Sequence, residues 1–222
     1  MPKKVAIFDM DGLFVDSERV YASGWKKGFS EYGIDVPEGF VESLTGKSAT
    51  SNDAKIISLL NNPELAKKIR VVREKYYQDK LHNGEIKLGK FAKEIAEILK
   101  VKGLKVILAS SSTQQRIDEL LSKNNVNRLF DVIVCADHVK KLKPAPDIYI
   151  AALEFFDTKP EEAIAFEDTI VGATAAANAG IDVYLVSETL YRDQMKLEHE
   201  MCQGVFNNLE QAYNYLEANQ IC

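Results

Sequence analysis

Five short apolar runs recur along the chain, and polar or turn-forming residues follow each of them. The runs are Val5–Phe8, Leu104–Ala109, Val132–Cys135, Ala163–Phe166 and Ile181–Val186. Continuous apolar runs of this length are typical of parallel strands that are buried on both faces of a sheet. We therefore predict that these five segments are strands of one parallel sheet.

Segments with a helical spacing of apolar residues lie between the later runs. They are 91–99, which Gly103 closes, 117–121, 148–156, 171–179 and an amphipathic stretch at 209–216. Strands that alternate with helices indicate an α/β protein whose helices cover both faces of the sheet. The pattern predicts a Rossmann-like, doubly wound parallel sheet.

This alternation stops between the first two runs, where helical spacing continues without a clear strand. Candidate helices are Ser17–Tyr32, Glu38–Leu44, Ser51–Leu60 and Pro63–Leu81. Proline is favoured at the first position of a helix, as Pro63 would be. We predict a small helical cap domain at residues 16–86, inserted after the first strand into a core formed by residues 1–15 and 87–222.

Composition narrows the class of protein further. The 222 residues are 46% hydrophobic and carry a net charge of −5, with no basic stripe of the kind that binds nucleic acid. No apolar stretch approaches the ~20 residues of a membrane span. Three scattered cysteines make no disulfide framework, and the N-terminus enters the first strand directly. We expect a cytoplasmic monomer without a signal peptide.

A short motif with polar or charged residues follows each of four predicted strands. These motifs are Asp9, Asp11 and Gly12 after the first strand, Ser110 and Ser111 after the second, Lys143 beyond the third, and Glu167 and Asp168 after the fourth. Two carboxylates on one tight loop require a cation or a shared proton, and Mg²⁺ prefers oxygen ligands. Hydroxyl groups ahead of a helix and a lysine in a loop that two following prolines stiffen suit a phosphate group.

Each of these motifs alone also fits a plain structural role. The acid pair could be a polar turn, the serines helix caps, the lysine a solvated side chain, and Asp168 an N-cap. Together they follow successive strand ends, where open α/β sheets bind ligands. The joint pattern favours a phosphate-binding site with a metal ion.

These motifs resemble those of the haloacid dehalogenase superfamily. The set Asp9-x-Asp11-Gly12, Ser110, Lys143 and Glu167-Asp168 matches the four superfamily motifs in order. The local sequences at residues 8–18, 143–147 and 166–172 resemble those of the branch that contains β-phosphoglucomutases and sugar-phosphate phosphatases. The resemblance spans nearly the whole chain and implies a Rossmann-like core with a helical cap inserted after the first motif.

The resemblance also implies a role for each motif residue. Asp9 would attack phosphorus and form an aspartyl-phosphate, while Asp11 would act as general acid and base. Ser110 and Lys143 would hold the phosphoryl group. The metal site for Mg²⁺ would comprise Asp9, Asp11 through its backbone carbonyl, Asp168, and Glu167 directly or through water. Further substrate contacts are expected from a second set of residues, namely Gly12, Ser111, Gly46 and Lys47.

We expect a phosphatase that hydrolyses small phosphate monoesters, with a phosphorylated metabolite as its partner. A phosphomutase resembling β-phosphoglucomutase is the first alternative. Tyr21 stands where those mutases carry a histidine and Ala49 where they carry a cap arginine, and both differences favour hydrolysis. A dehalogenase would lack Asp11. A non-catalytic phospho-acceptor domain would be shorter and would lack the helical insert.

Overall fold

The computed structural model describes residues 2–44, 49–187 and 201–221. The chain divides into two compact units, a sheet unit of Met1–Val15 with Leu88–Cys222 and a helical unit of Asp16–Lys87. Lys87, which we assigned to the core from the sequence, therefore falls in the helical unit. The role of the helical unit as a cap stays a prediction.

A six-stranded parallel sheet forms the centre of the sheet unit. Its strands are β1 (Val5–Phe8), β2 (Lys105–Ala109), β3 (Val132–Val134), β4 (Ala163–Glu167), β5 (Asp182–Val186) and β6 (Cys202–Phe206). The strand order is β3-β2-β1-β4-β5-β6, and every described pair is parallel. This order reverses between β1 and β4, where sheets of this kind bind ligands beyond the strand ends. The predicted Rossmann-like α/β fold is confirmed.

Strand β1 lies at the centre of the sheet because all four of its side chains are apolar and buried. Phe8 is in register with Leu108 of β2 and Phe166 of β4, and its ring stacks on that of Phe166 at 4.8 Å. The next backbone N–H, that of Asp9, donates to the Phe166 carbonyl at 3.0 Å. The register therefore brings Asp9 beside Glu167, the last residue of β4.

Helices follow the strands in the order that the apolar spacing predicts. They are α1 (Glu18–Glu31), α2 (Ala49–Leu60), α3 (Pro63–His82), α4 (Ala92–Val101), α5 (Gln114–Lys123), α6 (Asp147–Glu154), α7 (Ile170–Asn178) and α8 (Leu209–Ala218). Gly103, with φ +92°, follows the end of α4 as predicted, because a left-handed residue commonly closes a helix. Buried faces of α6 and α7 pack with the sheet in one apolar core.

The helical unit has an apolar core of its own. Trp25 and Phe29 of α1 pack with Ile69 of α3 in this core. A Cβ atom on Gly28 would lie 2.8 Å from the Ile69 carbonyl oxygen, so glycine permits the close approach of the two helices. Pro63 is the first residue of α3, as predicted. Asn62 caps this helix, because its side chain accepts the Leu65 N–H at 3.0 Å.

Two expectations about secondary structure were wrong. Glu38–Leu44 is not a helix, because Gly39 adopts φ +77° and only a short 3-10 turn forms at Glu42–Leu44. Strand β6 was missed because its sequence is not an apolar run. It contains Gln203 and Gly204, and all its residues are half-buried beside β5.

Within the part of the chain that the structure describes, every helix is too short or too polar to cross a membrane.

Candidate active site

The loop after β1 places two carboxylates at the switch point of the sheet. Asp9 is buried, whereas the Asp11 side chain is 28% exposed. The Met10 carbonyl accepts the N–H groups of Phe14 and Val15, so the chain turns tightly beyond Asp11. Gly12 has φ +86°, a backbone conformation that favours glycine.

Lys143 reaches this loop from the segment before α6. Its ammonium group donates to Asp9 Oδ1 at 2.6 Å, to Glu167 Oε1 at 2.6 Å and to the Ala109 carbonyl at 2.9 Å. Its side chain is 7% exposed. Burial alone would lower the pKa of Lys143, but the carboxylates of Asp9 and Glu167 raise it well above its usual range. The ammonium therefore stays charged and joins the ends of β1, β2 and β4.

Tyr149 on α6 completes the environment of Glu167. Its hydroxyl donates to Glu167 Oε1, the same oxygen that Lys143 binds. The Lys143 ammonium lies 5.1 Å from the Tyr149 ring centre. Burial and the nearby Glu167 raise the pKa of Tyr149 well above its usual range, so its hydroxyl remains a neutral donor.

Gly172 on α7 makes room for the Glu167 side chain. A Cβ atom at this position would lie 2.0 Å from Glu167 Oε2 and 2.2 Å from its carboxyl carbon. The Thr169 hydroxyl accepts the Gly172 N–H at 3.1 Å and caps the same helix. Glycine at residue 172 therefore leaves room for the Glu167 carboxylate beside the first turn of the helix.

Three buried carboxylates form a group that could hold a metal ion. One oxygen each of Asp9, Glu167 and Asp168 lie within 4.8 Å of one another. A hard divalent cation prefers such oxygen ligands. The contacts of Lys143 bring one positive charge to this group, which does not balance three carboxylates out of water. The donor set therefore fits a divalent cation.

The ionisation of Asp9 reflects this crowding. Burial raises the pKa of Asp9 to about 7, with a further rise from Glu167 and Asp11 and an opposing effect of Lys143. The charged form of Asp9 is thus costly in the absence of a bound cation. A cation beside the three carboxylates would favour that charged form.

The serine segment after β2 provides hydroxyl groups at the same edge of the sheet. Ser110 is buried, and its Oγ accepts the Ser112 N–H at 3.1 Å, so its own proton can be donated elsewhere. The Ser112 hydroxyl donates to Asp11 Oδ2 at 2.9 Å. Ser111 is exposed to solvent. Ser112 therefore belongs to the site, although we had assigned a role only to Ser110 and Ser111 from the sequence.

Arg116 on α5 is a second residue that the sequence did not reveal. Its Nη2 donates to Asp11 Oδ1 at 2.6 Å. Arg116 is the third residue of the helix that follows the serines, and an arginine at such a position is usually solvated. Tyr149 was missed for a similar reason, since it is one of several large side chains on an apolar helix.

The predicted residues differ in where the structure places them. The structure brings together the loop, strand-end and lysine residues Asp9, Asp11, Ser110, Lys143, Glu167 and Asp168. The Gly12 N–H donates to the Val15 carbonyl at 2.9 Å, so this group is already paired within the loop. Gly46 and Lys47 lie outside the described residues.

Comparisons with known proteins agree with this architecture. Residues 6–186 match the family model described as haloacid dehalogenase-like hydrolase. A phosphorylated carbohydrates phosphatase of Thermotoga maritima is 29% identical over 198 residues, covering 88% of this chain and 90% of the relative. Fructose-1-phosphate phosphatase YqaB of Escherichia coli is 29% identical over 177 residues, covering 79% of this chain and 92% of the relative.

A solved structure shows the same fold along nearly the whole chain. It is a HAD hydrolase of family IA, variant 3, from Entamoeba histolytica, which is 26% identical. The match has a TM-score of 0.76 and covers 96% of this chain and 99% of the other. The resemblance seen in the motifs is confirmed by a family match that spans most of the chain. The chain therefore belongs to the haloacid dehalogenase-like hydrolase family and is one of its enzymes.

Proposed function

We propose that the protein is a Mg²⁺-dependent phosphatase that hydrolyses small phosphate monoesters resembling sugar phosphates. The observation that carries this proposal is Asp9, held by Lys143 beside two further buried carboxylates at the switch point of the sheet. The relatives described above that act on phosphorylated carbohydrates and on fructose 1-phosphate support the substrate class.

Mg²⁺ would be held by the carboxylates of Asp9, Asp168 and Glu167, together with the Asp11 backbone carbonyl. When bound, the ion would reduce the repulsion between an anionic phosphoryl group and an anionic nucleophile. One oxygen of Glu167 accepts hydrogen bonds from both Lys143 and Tyr149, so Glu167 also fixes the positions of these two donors.

In the first half of the reaction, an Asp9 carboxylate oxygen attacks phosphorus. The new bond is that of an aspartyl-phosphate, and the bond between phosphorus and the leaving alcohol oxygen breaks. The Asp11 carboxyl group gives its proton to that oxygen. Lys143 keeps the Asp9 side chain in place through Oδ1, and the Ser110 hydroxyl donates to a phosphoryl oxygen.

In the second half, water attacks the phosphorus of the aspartyl-phosphate. The Asp11 carboxylate accepts a proton from the water, and the bond between Asp9 and phosphorus breaks. Inorganic phosphate leaves, Asp9 is again a carboxylate and Asp11 is again protonated. Most of the rate enhancement would come from positioning and from fixed charge around the phosphoryl group.

Part of the proposal concerns the helical unit. We retain the cap role, predicted for residues 16–86, for the helical unit as a whole. Gly46 and Lys47 remain its proposed substrate-binding residues, and Ser111 and Gly12 remain proposed further contacts. These assignments rest on the family resemblance. The cytoplasmic location and the monomeric state also stay predictions.

Hydrolysis is favoured over the mutase alternative by the surroundings of Tyr21. This residue replaces the histidine expected of a mutase, and its ring stacks on Tyr77 at 4.5 Å with an interplanar angle of 12°. The Arg73 guanidinium carbon lies 4.8 Å from the centre of the Tyr21 ring. Tyr21 is thus packed against two side chains of α3, Tyr77 and Arg73, which differs from the role of a mutase histidine.

The proposal is tested by phosphate release from a panel of hexose, polyol and nucleoside monophosphates, with and without Mg²⁺. We expect release by the wild type only with Mg²⁺, and a loss of about a thousandfold or more in Asp9→Asn, because the nucleophile is removed. Asp35→Asn, which changes an exposed carboxyl group of the helical unit, is the matched control and should match the wild type.

A folded wild-type protein that released no phosphate from any ester would contradict the proposal. Turnover of glucose 1-phosphate only in the presence of a sugar bisphosphate, with no net release of phosphate, would favour the mutase alternative. Release that persisted in Asp9→Asn would show that another group is the nucleophile.

A further inference from the structure

Arg116 occupies a position that helix electrostatics disfavours. It lies in the first turn of α5, where the partial positive charge of the helix N-terminus repels a cation. Its side chain is nevertheless only 19% exposed, and it forms a 2.6 Å ion pair with Asp11 Oδ1. The ion pair with Asp11 compensates for this unfavourable position of the arginine.

The second oxygen of Asp11 is also held. The Ser112 hydroxyl donates to Oδ2 at 2.9 Å, while Arg116 donates to Oδ1, so each carboxylate oxygen has its own donor. Rotation of the carboxyl group would break both contacts. The two donors thus fix the plane of the Asp11 carboxyl group as well as its distance.

The segment that carries both donors is itself anchored. The Ser112 N–H binds Ser110 Oγ at 3.1 Å, and the Gln114 N–H binds Asp137 Oδ2 at 2.9 Å. A donor on a fixed segment restricts its partner more than a donor on a mobile chain does. The start of α5 is therefore a rigid support for Asp11.

We propose that Arg116 is a positioning residue for proton transfer, which acts by holding Asp11 with the help of Ser112. This inference rests on the proposed function, in which Asp11 protonates the leaving alcohol. The proton is carried on a lone pair of the carboxyl group that neither donor occupies, and Arg116 stabilises the carboxylate that remains after the transfer. Arg116 acts through Asp11 and has no contact with the phosphoryl group in this role. Its loss should therefore affect the transfer of a proton and leave the attack by Asp9 unchanged.

The leaving group provides the test. An alkoxide is a poor leaving group and needs a proton as its bond to phosphorus breaks, whereas p-nitrophenolate leaves without one. Arg116→Met removes the donor and keeps much of the side-chain volume. We expect kcat for glycerol phosphate to fall about 10- to 100-fold and kcat for p-nitrophenyl phosphate to change less than about threefold.

Three variants complete the experiment. Arg116→Lys should restore part of the lost kcat for glycerol phosphate, because an ammonium can also bind Asp11. Arg128→Gln removes an exposed arginine of the segment after α5 and should match the wild type on both esters. In an Asp11→Asn background, Arg116→Met should lower kcat for glycerol phosphate by less than about threefold, because no carboxyl group remains to be positioned.

Equal losses on both esters in Arg116→Met would overturn the inference, because Arg116 would then act on the phosphoryl group or on the fold. No loss on either ester, or a full additional loss in the Asp11→Asn background, would overturn it as well. A wild type that released phosphate from neither p-nitrophenyl phosphate nor any ester of the panel above would instead remove the proposed phosphatase function, and this inference with it; if another alkyl ester of the panel is hydrolysed faster than glycerol phosphate, that ester takes its place in the comparison. The two failures are therefore distinguishable by the wild-type rates.

Discussion

The ionisation of Asp9 connects its sequence position with its chemistry. The residue follows an apolar strand, so its carboxyl group is buried beside Glu167 and Asp168 with Lys143 as a charged neighbour. Burial raises its pKa to about 7. The charged form of Asp9 therefore destabilises the folded protein until a cation is bound. Such local destabilisation is common at functional sites.

Replacement of Asp9 by asparagine should stabilise the metal-free protein in a pH-dependent way. The unperturbed pKa is 3.8 and the folded-state pKa is about 7, so the unfolded chain binds fewer protons between these values. The free energy of unfolding of the wild type should therefore fall as the pH rises through this window. Asparagine does not titrate, and Asp9→Asn should become more stable than the wild type by up to ~4 kcal/mol at pH 8.

Urea unfolding in EDTA at pH 4.5 and pH 8 would measure this difference. Asp35→Asn controls for the loss of an exposed carboxyl group and should follow the wild type at both values. If Asp9→Asn and the wild type showed the same dependence on pH, the raised pKa of Asp9 would be wrong.

Elements of the sheet unit were predictable to the extent that burial determined their sequences. Four largely buried strands and the edge strand β3 have apolar sequences, while β6 at the other edge is half-buried along its whole length and contains Gln203 and Gly204. Site residues at strand ends could be predicted for the same reason, since parallel strands end at one edge. Arg116 and Tyr149 belong to helices. The direction in which each side chain points depends on how its helix packs, so these two residues could not be assigned to the site from the sequence.

The junction of β4 and α7 shows how closely two elements can approach. A Cβ atom on Gly172 would overlap the Glu167 carboxylate. Gly172→Ala should therefore destabilise the protein by about 1–3 kcal/mol, although alanine in place of glycine normally stabilises a helix by about 1 kcal/mol. Phosphatase activity should fall about tenfold or more, because Glu167 would release Lys143 and Tyr149.

The double variant Glu167→Ala/Gly172→Ala separates steric overlap from helix propensity. Compared with Glu167→Ala alone, the added alanine at 172 should be neutral or stabilising, since no carboxylate remains to be displaced. Thermal unfolding of the four proteins would measure the coupling. A similar loss of stability from Gly172→Ala in both backgrounds would show that the overlap with Glu167 is not the cause.

At the scale of the whole molecule, the sheet unit is assembled from the two ends of the chain. Asp9 belongs to the N-terminal segment, and Glu167 and Asp168 belong to the segment after the helical unit. The sequence predicted this arrangement because the apolar runs are interrupted once by a helical block. It could not show that residues so distant in the chain would meet within 4.8 Å, since that distance depends on the register of β1 and β4.

A cation that binds all three carboxylates should stabilise this assembly as a whole. At a Mg²⁺ concentration of about 100 times Kd, linkage contributes ~2.7 kcal/mol, which corresponds to a rise in Tm of roughly 5–10 °C for a protein of this size. The rise should be larger at pH 8 than at pH 5.5, because Mg²⁺ must displace the proton from Asp9, whose pKa is about 7 without metal. Asp168→Asn removes one ligand and should lose most of the rise. Choline chloride at equal ionic strength should have no such effect on the wild type. An equal rise in Tm at both pH values, or in Asp168→Asn, would show that Mg²⁺ binds elsewhere on the protein.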